Sequence, residues 1–204
     1  MTAIIDYGVG NLFSLQSSLA AIGETAIITG DPEKILEANR VILPGVGAFG
    51  DAAKKLSDSG LDSVIKKCVE NKTPLLGICL GMQLLFDESY EYGRHRGLSL
   101  IPGKVVAMEG SIPKNLKIPH IGWNYLKIKN ETPLLSEIKN GDFVYFVHSY
   151  YVVCDETNIA ATTDYGLEIT ATVFKDNVFG CQFHPEKSGD VGLKILRKFC
   201  SLER

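Results

Sequence analysis

The sequence predicts an α/β fold: a mostly parallel central sheet flanked by helices, with additional antiparallel strands in the C-terminal half. Three observations predict it. Short apolar runs alternate with amphipathic segments through the first half of the chain, the pattern of strands covered by helices on both faces. After about Arg94 the texture changes to β-rich segments broken by turn signals. The 204 residues are 45% hydrophobic, enough for a real core, and a single domain over residues 1–204 is expected.

Each element follows from its residues. "TAIID" (2–6) is an apolar run ending in a loop and reads as a buried strand. "NLFSLQSSLAAIG" (11–23) places Leu12, Leu15, Leu19 and Ile22 on one helical face, closed by Gly23. "TAIIT" (25–29) is a second strand. Asp31, Pro32 and Glu33 then supply an N-cap, a first-position proline and an acidic first turn. "RVILPG" (40–45) is a third strand and "GAFGDAAKKL" (47–56) a helix start. "LDSVIKKCVEN" (61–71) is an amphipathic helix and "TPLLGIC" (73–79) a fourth buried strand. Farther on, "KVVAMEG", "YLKIKN", "DFVYFVHSYYVVC" and "EITATVFKDNVFGCQF" read as strands, with turns at Asn140-Gly141 and Asp176-Asn177. "GDVGLKILRKFCSLE" closes the chain as a helix. No repeat, low-complexity segment or linker divides it.

Composition excludes several functions. A net charge of −3 advertises neither nucleic acid nor an anionic membrane. The longest apolar stretch, Pro74 to Phe86, is too short and too glycine-broken to span a bilayer. The first ten residues lack the basic region of a secretory signal. Five cysteines, at 68, 79, 154, 181 and 200, form no C-x-x-C pair, which fits reduced thiols and a cytoplasmic protein. Four histidines, at 95, 120, 148 and 184, show no ligand spacing, so no metal site and no cofactor are expected.

The chemistry concentrates in three motifs. Gly77-Ile78-Cys79-Leu80-Gly81 lies where a strand ends and "LGMQLLF" begins a helix, the shape of a nucleophile elbow. Small flanking residues allow the sharp turn, the helix start favours a thiolate, and the Leu80 N–H is free for an oxyanion. The plainer reading is a packed thiol, because free cysteine is among the most buried residue types. "FHPEKS" (183–188) answers the need for a base: His184, with Glu186 two residues on, projecting to the same side of an extended segment. "LPGVGAFG" (43–50) can present further backbone N–H groups around Val46, and the Gly45–Val46 peptide is the expected pivot of that loop. "DYGVGN" lacks the third glycine of a dinucleotide fingerprint, since Phe13 stands there. Glu88 and Glu91 read as solvated loop charges, "HIGWN" as an exposed turn, and Trp123 by itself as a half-buried core aromatic.

"PGVGAFG", "GICLGMQLLF" and "FHPEKS", in this order, resemble the class I (triad) glutamine amidotransferases along essentially the whole chain. "IDYGVGNL", "PHIGWN" and "YFVHSYY" narrow the resemblance to the glutaminase subunits of imidazole glycerol phosphate synthase, and no triad position departs from it. The resemblance implies that Cys79 attacks the side-chain amide of L-glutamine, that His184 shuttles protons and that Glu186 orients it. It implies an oxyanion hole from the Val46 and Leu80 N–H groups. It places the substrate against Gly47, Gln83, Glu91, Ser149 and Tyr150. The chain is too short for a second catalytic domain, so ammonia is expected to pass to a separate (β/α)8-barrel cyclase in a heterodimer of histidine biosynthesis. Trp123, Asn124, Tyr145 and Lys187 match positions expected at that interface. Two alternatives stand beside this reading: the same chemistry serving a sugar-modifying or pyridoxal-phosphate synthase, and a catalytically silent regulatory subunit.

Overall fold

The chain begins with four strand-to-helix units. In order they are β1 (Thr2–Ile5), α1 (Leu12–Ala21), β2 (Ala26–Thr29), α2 (Pro32–Glu37), β3 (Arg40–Leu43), α3 (Phe49–Asp58), α4 (Leu61–Glu70), β4 (Leu75–Ile78) and α5 (Leu80–Leu84). The computed structural model describes residues 1–203. Asp31 caps α2 as expected, accepting from the Glu33 N–H, and Asn11, which the sequence reading did not single out, caps α1 by accepting from the Ser14 N–H.

The second half adds β5 (Glu88–Ser89), β6 (His95–Arg96), β7 (Gly103–Ala107), β8 (His120–Tyr125), β9 (Lys127–Ile128), β10 (Phe143–His148) and β11 (Tyr150–Cys154). It ends with β12 (Ile159–Asp164), β13 (Glu168–Lys175), β14 (Val178–Cys181) and α6 (Gly189–Ser201). The main sheet has the order β2-β1-β3-β4-β14-β13-β12-β9. Its first five strands run parallel, and the remaining pairings are antiparallel. The expected mixed architecture is therefore what the chain forms. A second sheet, β11-β7-β5-β6, and a ribbon of β8 and β10 stand apart from it.

Side-chain alternation builds a core on each face of the main sheet. Ala3, Ile5, Val41, Leu43 and Leu75 join Ile35, Phe49, Leu56 and Ile65 of α2, α3 and α4. Their neighbours Ile4, Ile42, Leu76 and Ile78 join Leu15 and Leu19 of α1 and Ile195, Leu196 and Phe199 of α6. The inner parallel strands β1, β3, β4 and β14 are buried on both sides, which is why they read as unbroken apolar runs, while the edge strand β2 is half-buried.

"DFVYFVHSYYVVC" forms two strands, split at Ser149: β10 pairs with β8, and β11 pairs with β7. One reading of the second half needs correction. "HIGWN" is no turn but most of β8, held in register from His120↔His148 to Tyr125↔Phe143. Gly and Asn are poor strand formers, so local propensity hides β8; cross-strand pairing with the Val- and Phe-rich β10 makes it.

Candidate active site

Cys79 sits between β4 and α5 at φ 55°, ψ −112°, a conformation a side chain rarely adopts. Such strain costs about 1–3 kcal/mol and persists only where the surroundings impose it. Here the two glycines of the motif do so. A Cβ on Gly77 would stand 2.6 Å from the Gly81 carbonyl oxygen, and one on Gly81 would collide with the Leu43 carbonyl oxygen. The elbow is thus packed backbone to backbone against itself and against the end of β3. Leu80 opens α5, so its N–H has no intrahelical acceptor.

His184 arrives from the far end of the sequence. β14 lies beside β4, and the Cys79 N–H donates to the Cys181 carbonyl at 2.7 Å. The chain beyond Cys181 therefore passes the elbow. Phe183 is fully buried and anchors it, and the His184 N–H donates to the Tyr145 carbonyl at 2.9 Å. His184 Nδ1 lies 2.8 Å from Glu186 Oε1, and both side chains are 4% exposed. They do not meet across an extended segment. Pro185–Lys187 form a 3₁₀ turn, closed by the Ser188 hydroxyl donating to the His184 carbonyl at 2.7 Å. The turn, not strand alternation, brings the carboxylate back under the ring.

With Nδ1 donating to Glu186, Nε2 is the free face of the imidazole. It closes no hydrogen bond, and Cys79 acts on it through charge and proximity. Burial pulls the His184 pKa down, but the nearby Cys79 and the bonded Glu186 carboxylate outweigh burial and raise it to about 9. That balance favours an imidazolium at His184.

These groups open on a cavity of about 330 Å³. Cys79, His184, Val46, Leu80, Gly47, Gln83, Glu91, Ser149 and Tyr150 all line it, so eight other candidate residues meet at Cys79. Glu186 stands behind His184, outside the lining. Glu91 is more than a solvated charge: its Oε2 accepts from the Phe49 N–H at the start of α3, 2.5 Å away. Gln83 spends both Nε2 hydrogens, on the Tyr150 carbonyl at 3.2 Å and on Gln182 Oε1 at 3.0 Å. What it has left to offer the cavity is Oε1, an acceptor.

In the loop before α3, Gly47 holds a positive φ, of 93°. Gly45 is required by close approach: a Cβ there would lie 2.8 Å from the Gly81 N, 2.9 Å from the Leu80 Cβ and 2.9 Å from the Tyr7 hydroxyl. Tyr7, which the motif reading passed over, donates to the Pro44 carbonyl at 2.8 Å, and burial raises its phenol pKa. Gln182 was also missed: it is fully buried, and its Nε2 lies 3.8 Å from Cys79 Sγ.

Of the expected interface residues, three come together. Trp123 is 55% exposed and meets Tyr145 edge-on at 6.1 Å, and Lys187 Nζ lies 5.9 Å over the Tyr145 ring. Trp123 is therefore no core aromatic. Asn124 does not join them, because on a strand it faces the other way; its Nδ2 donates to the Asp164 carbonyl at 2.8 Å. The ribbon touches the elbow, with Cys79 Sγ 3.9 Å from the Val147 carbonyl oxygen. Among the described residues, no cluster of three or more His, Cys, Asp or Glu side chains is placed to hold a metal ion. No helix among them is long and apolar enough to cross a membrane.

A thiol on a strained strand-to-helix elbow, facing a carboxylate-held imidazole, defines a cysteine-dependent acyl-transfer site. The family model "Glutamine amidotransferase class-I" matches residues 3–201, and the chain belongs to that family. Among its relatives is the imidazole glycerol phosphate synthase subunit HisH of Caldanaerobacter subterraneus subsp. tengcongensis, 54% identical over 98% of this chain and 97% of that one. The HisH subunit of Aquifex aeolicus is 49% identical over 97% and 95% of the two chains. At that identity over nearly the whole length, the branch of the family is HisH. The fold is also that of "PurLQS from Thermotoga maritima", with a TM-score of 0.76 at 20% identity over 98% and 96% of the chains. The Trypanosoma brucei CTPS glutaminase domain with bound acivicin gives 0.66 at 17% identity over 100% and 94%.

Proposed function

We propose that the chain hydrolyses L-glutamine to glutamate and ammonia and hands the ammonia to the cyclase subunit of an imidazole glycerol phosphate synthase. The observation that carries the chemistry is the meeting of Cys79 and His184 on one cavity, with Glu186 bonded behind the imidazole. The Cys79 thiolate attacks the side-chain amide carbon. The Leu80 and Val46 N–H groups receive the charge that develops on the amide oxygen. Imidazolium at His184 gives its Nε2 proton to the amide nitrogen as the C–N bond breaks, so ammonia leaves and the γ-glutamyl group stays on Cys79 as a thioester. His184, now neutral, takes a proton from water as it attacks the thioester, releasing glutamate and the thiolate. Glu186 keeps the ring in the required tautomer and stabilises its charged form. The Oε1 of Gln83 suits the α-ammonium of glutamine, with Gly47, Ser149, Tyr150 and Glu91 completing the walls.

The HisH identity of the relatives supports the synthase, and its cyclase is the natural acceptor of the ammonia. A (β/α)8-barrel cyclase docks on the β8–β10 ribbon over Trp123, Tyr145 and Lys187, next to the point where Val147 meets Cys79. Asn124 serves that surface from its inner side. The assembled triad speaks against a silent regulatory subunit. The test is glutamate release from glutamine by the chain alone and after mixing with the cyclase subunit. Release stimulated by the cyclase supports the reading; no release in either mixture refutes it.

A further inference from the structure

A buried hydrogen-bonded chain reaches the cavity from β8, and the triad does not account for it. The Tyr150 carbonyl oxygen lies 2.9 Å from His148 Nδ1. A carbonyl only accepts, so His148 carries its proton on Nδ1. Its Nε2 is then an acceptor, 3.0 Å from His120 Nδ1, which places the His120 proton on Nδ1 as well. His120 Nε2 in turn faces Asn124 Nδ2 at 3.4 Å. The Asn124 amide agrees with that direction, since its Oδ1 accepts from the Tyr125 N–H at 2.9 Å. Three side chains thus donate one way, from Asn124 toward Tyr150.

A second arm meets the first at the same carbonyl. Gln83 donates to it and to Gln182 Oε1, and Gln182 Nε2 points at Cys79 Sγ. The sulfur accepts from that amide, so this arm also has one consistent direction. Both imidazoles are buried, at 2% and 6% exposure, and His120 is stacked between Tyr165 and Phe146 at 4.0 and 4.8 Å. Burial lowers their pKa values to about 4 for His120 and about 3 for His148, so both are neutral near pH 7. A charge on His148 would remove its acceptor and repel His184.

We propose that His120, His148 and Gln182 are positioning residues: they hold the Gln83 amide with Oε1 toward the substrate and tie that orientation to β8, the strand carrying Trp123. The consequence for glutamine binding rests on the glutaminase reading of the cavity; the placement of the protons does not.

Two measurements test it. In the chain labelled with nitrogen-15 at histidine, both rings should be Nδ1–H tautomers that do not titrate between about pH 5 and pH 8. An Nε2–H tautomer at His148, or titration of either ring near the ordinary imidazole value, overturns the proposal. The second compares His120→Phe with His120→Asn in the complex with the cyclase subunit. Phenylalanine keeps the stack but leaves His148 Nε2 without a donor, so the glutamine KM should rise on the order of tenfold, with kcat changing less. Asparagine returns an amide donor near the place of Nδ1 and should recover most of that loss. An unchanged KM in His120→Phe, or equal losses in both variants, overturns the coupling. If the wild-type complex releases no glutamate, the glutaminase reading fails, and the tautomers still decide the direction of the chain.

Discussion

Cys79 and Cys181 are joined by a 2.7 Å hydrogen bond from the N–H of the first to the carbonyl of the second. The bond closes the register in which β14, from the end of the chain, lies parallel to β4. Every later feature of the site follows from it. Cys181 is followed by Gln182, Phe183 and His184, so fixing Cys181 beside the elbow delivers an amide and an imidazole to the sulfur.

Replacing the sulfur is the first test of the roles assigned. Cys79→Ala removes the nucleophile while keeping a side chain at φ 55°. Glutamine hydrolysis should vanish and the thermal unfolding midpoint should stay within a few degrees of the parent. Residual turnover near the parent rate would exclude Cys79 as the nucleophile.

Glu186→Gln should change how stability depends on pH. The folded His184 pKa of about 9 lies above its ordinary value of 6.5. Protonated His184 therefore stabilises the fold fully below about pH 6.5, and the contribution is lost as pH rises through about 9. Glutamine at 186 still accepts from Nδ1 but carries no charge, so part of that contribution disappears. Denaturant titrations should show the largest gap between parent and variant below pH 6.5 and a shrinking gap toward pH 9. Activity should fall, though less than for Cys79→Ala. A gap that does not vary with pH would show that the carboxylate is not paired with an imidazolium.

Gly45→Ala probes the loop beside the elbow. The added methyl meets Tyr7, Leu80 and the Gly81 N at 2.9 Å or less, and the loop must move to admit it. Displacing one oxyanion donor typically costs about 10²–10³ in rate. A kcat reduced in that range is expected, read in the cyclase complex. A kcat near the parent value would place the oxyanion donors elsewhere.

Trp123→Ala and Asn124→Ala separate docking from folding. Trp123 is exposed, so its loss should leave stability within about 0.5 kcal/mol. If it anchors the cyclase, the loss should weaken association by about 2 kcal/mol or more. Asn124 bonds to the Asp164 carbonyl and to His120, so its loss should lower the unfolding midpoint instead. Titration calorimetry and thermal melts on both variants decide the matter; a Trp123 variant that binds the cyclase normally removes the ribbon from the interface.

Legibility in the sequence followed the range of the forces involved. The parallel strands, the cap of α2 and the elbow are set by neighbours in sequence, and periodicity, Asp31 and the Gly77–Gly81 pair announced them. β8 was hidden because Gly122 and Asn124 disfavour a strand locally and only β10 makes one of them. The facing of Asn124 was lost with it. Gln182 and Tyr7 lay in full view inside "CQFHPE" and "IDYGVG". A glutamine or tyrosine acquires a role only through what it touches, and Cys79 and Pro44 are distant in sequence from both. The 3₁₀ turn at Pro185 was signalled by the proline itself, which sits where such a turn begins.

The most direct test of the account is to trap its intermediate. The chain, mixed with the cyclase subunit and glutamine, is quenched in acid during turnover, and its cysteine-containing peptides are weighed by mass spectrometry. The account predicts a γ-glutamyl adduct on the peptide carrying Cys79, absent when Cys79 is alanine, and ammonia released in step with it. An adduct on Cys68, Cys154, Cys181 or Cys200 instead, or glutamate formed with Cys79 replaced, would contradict it.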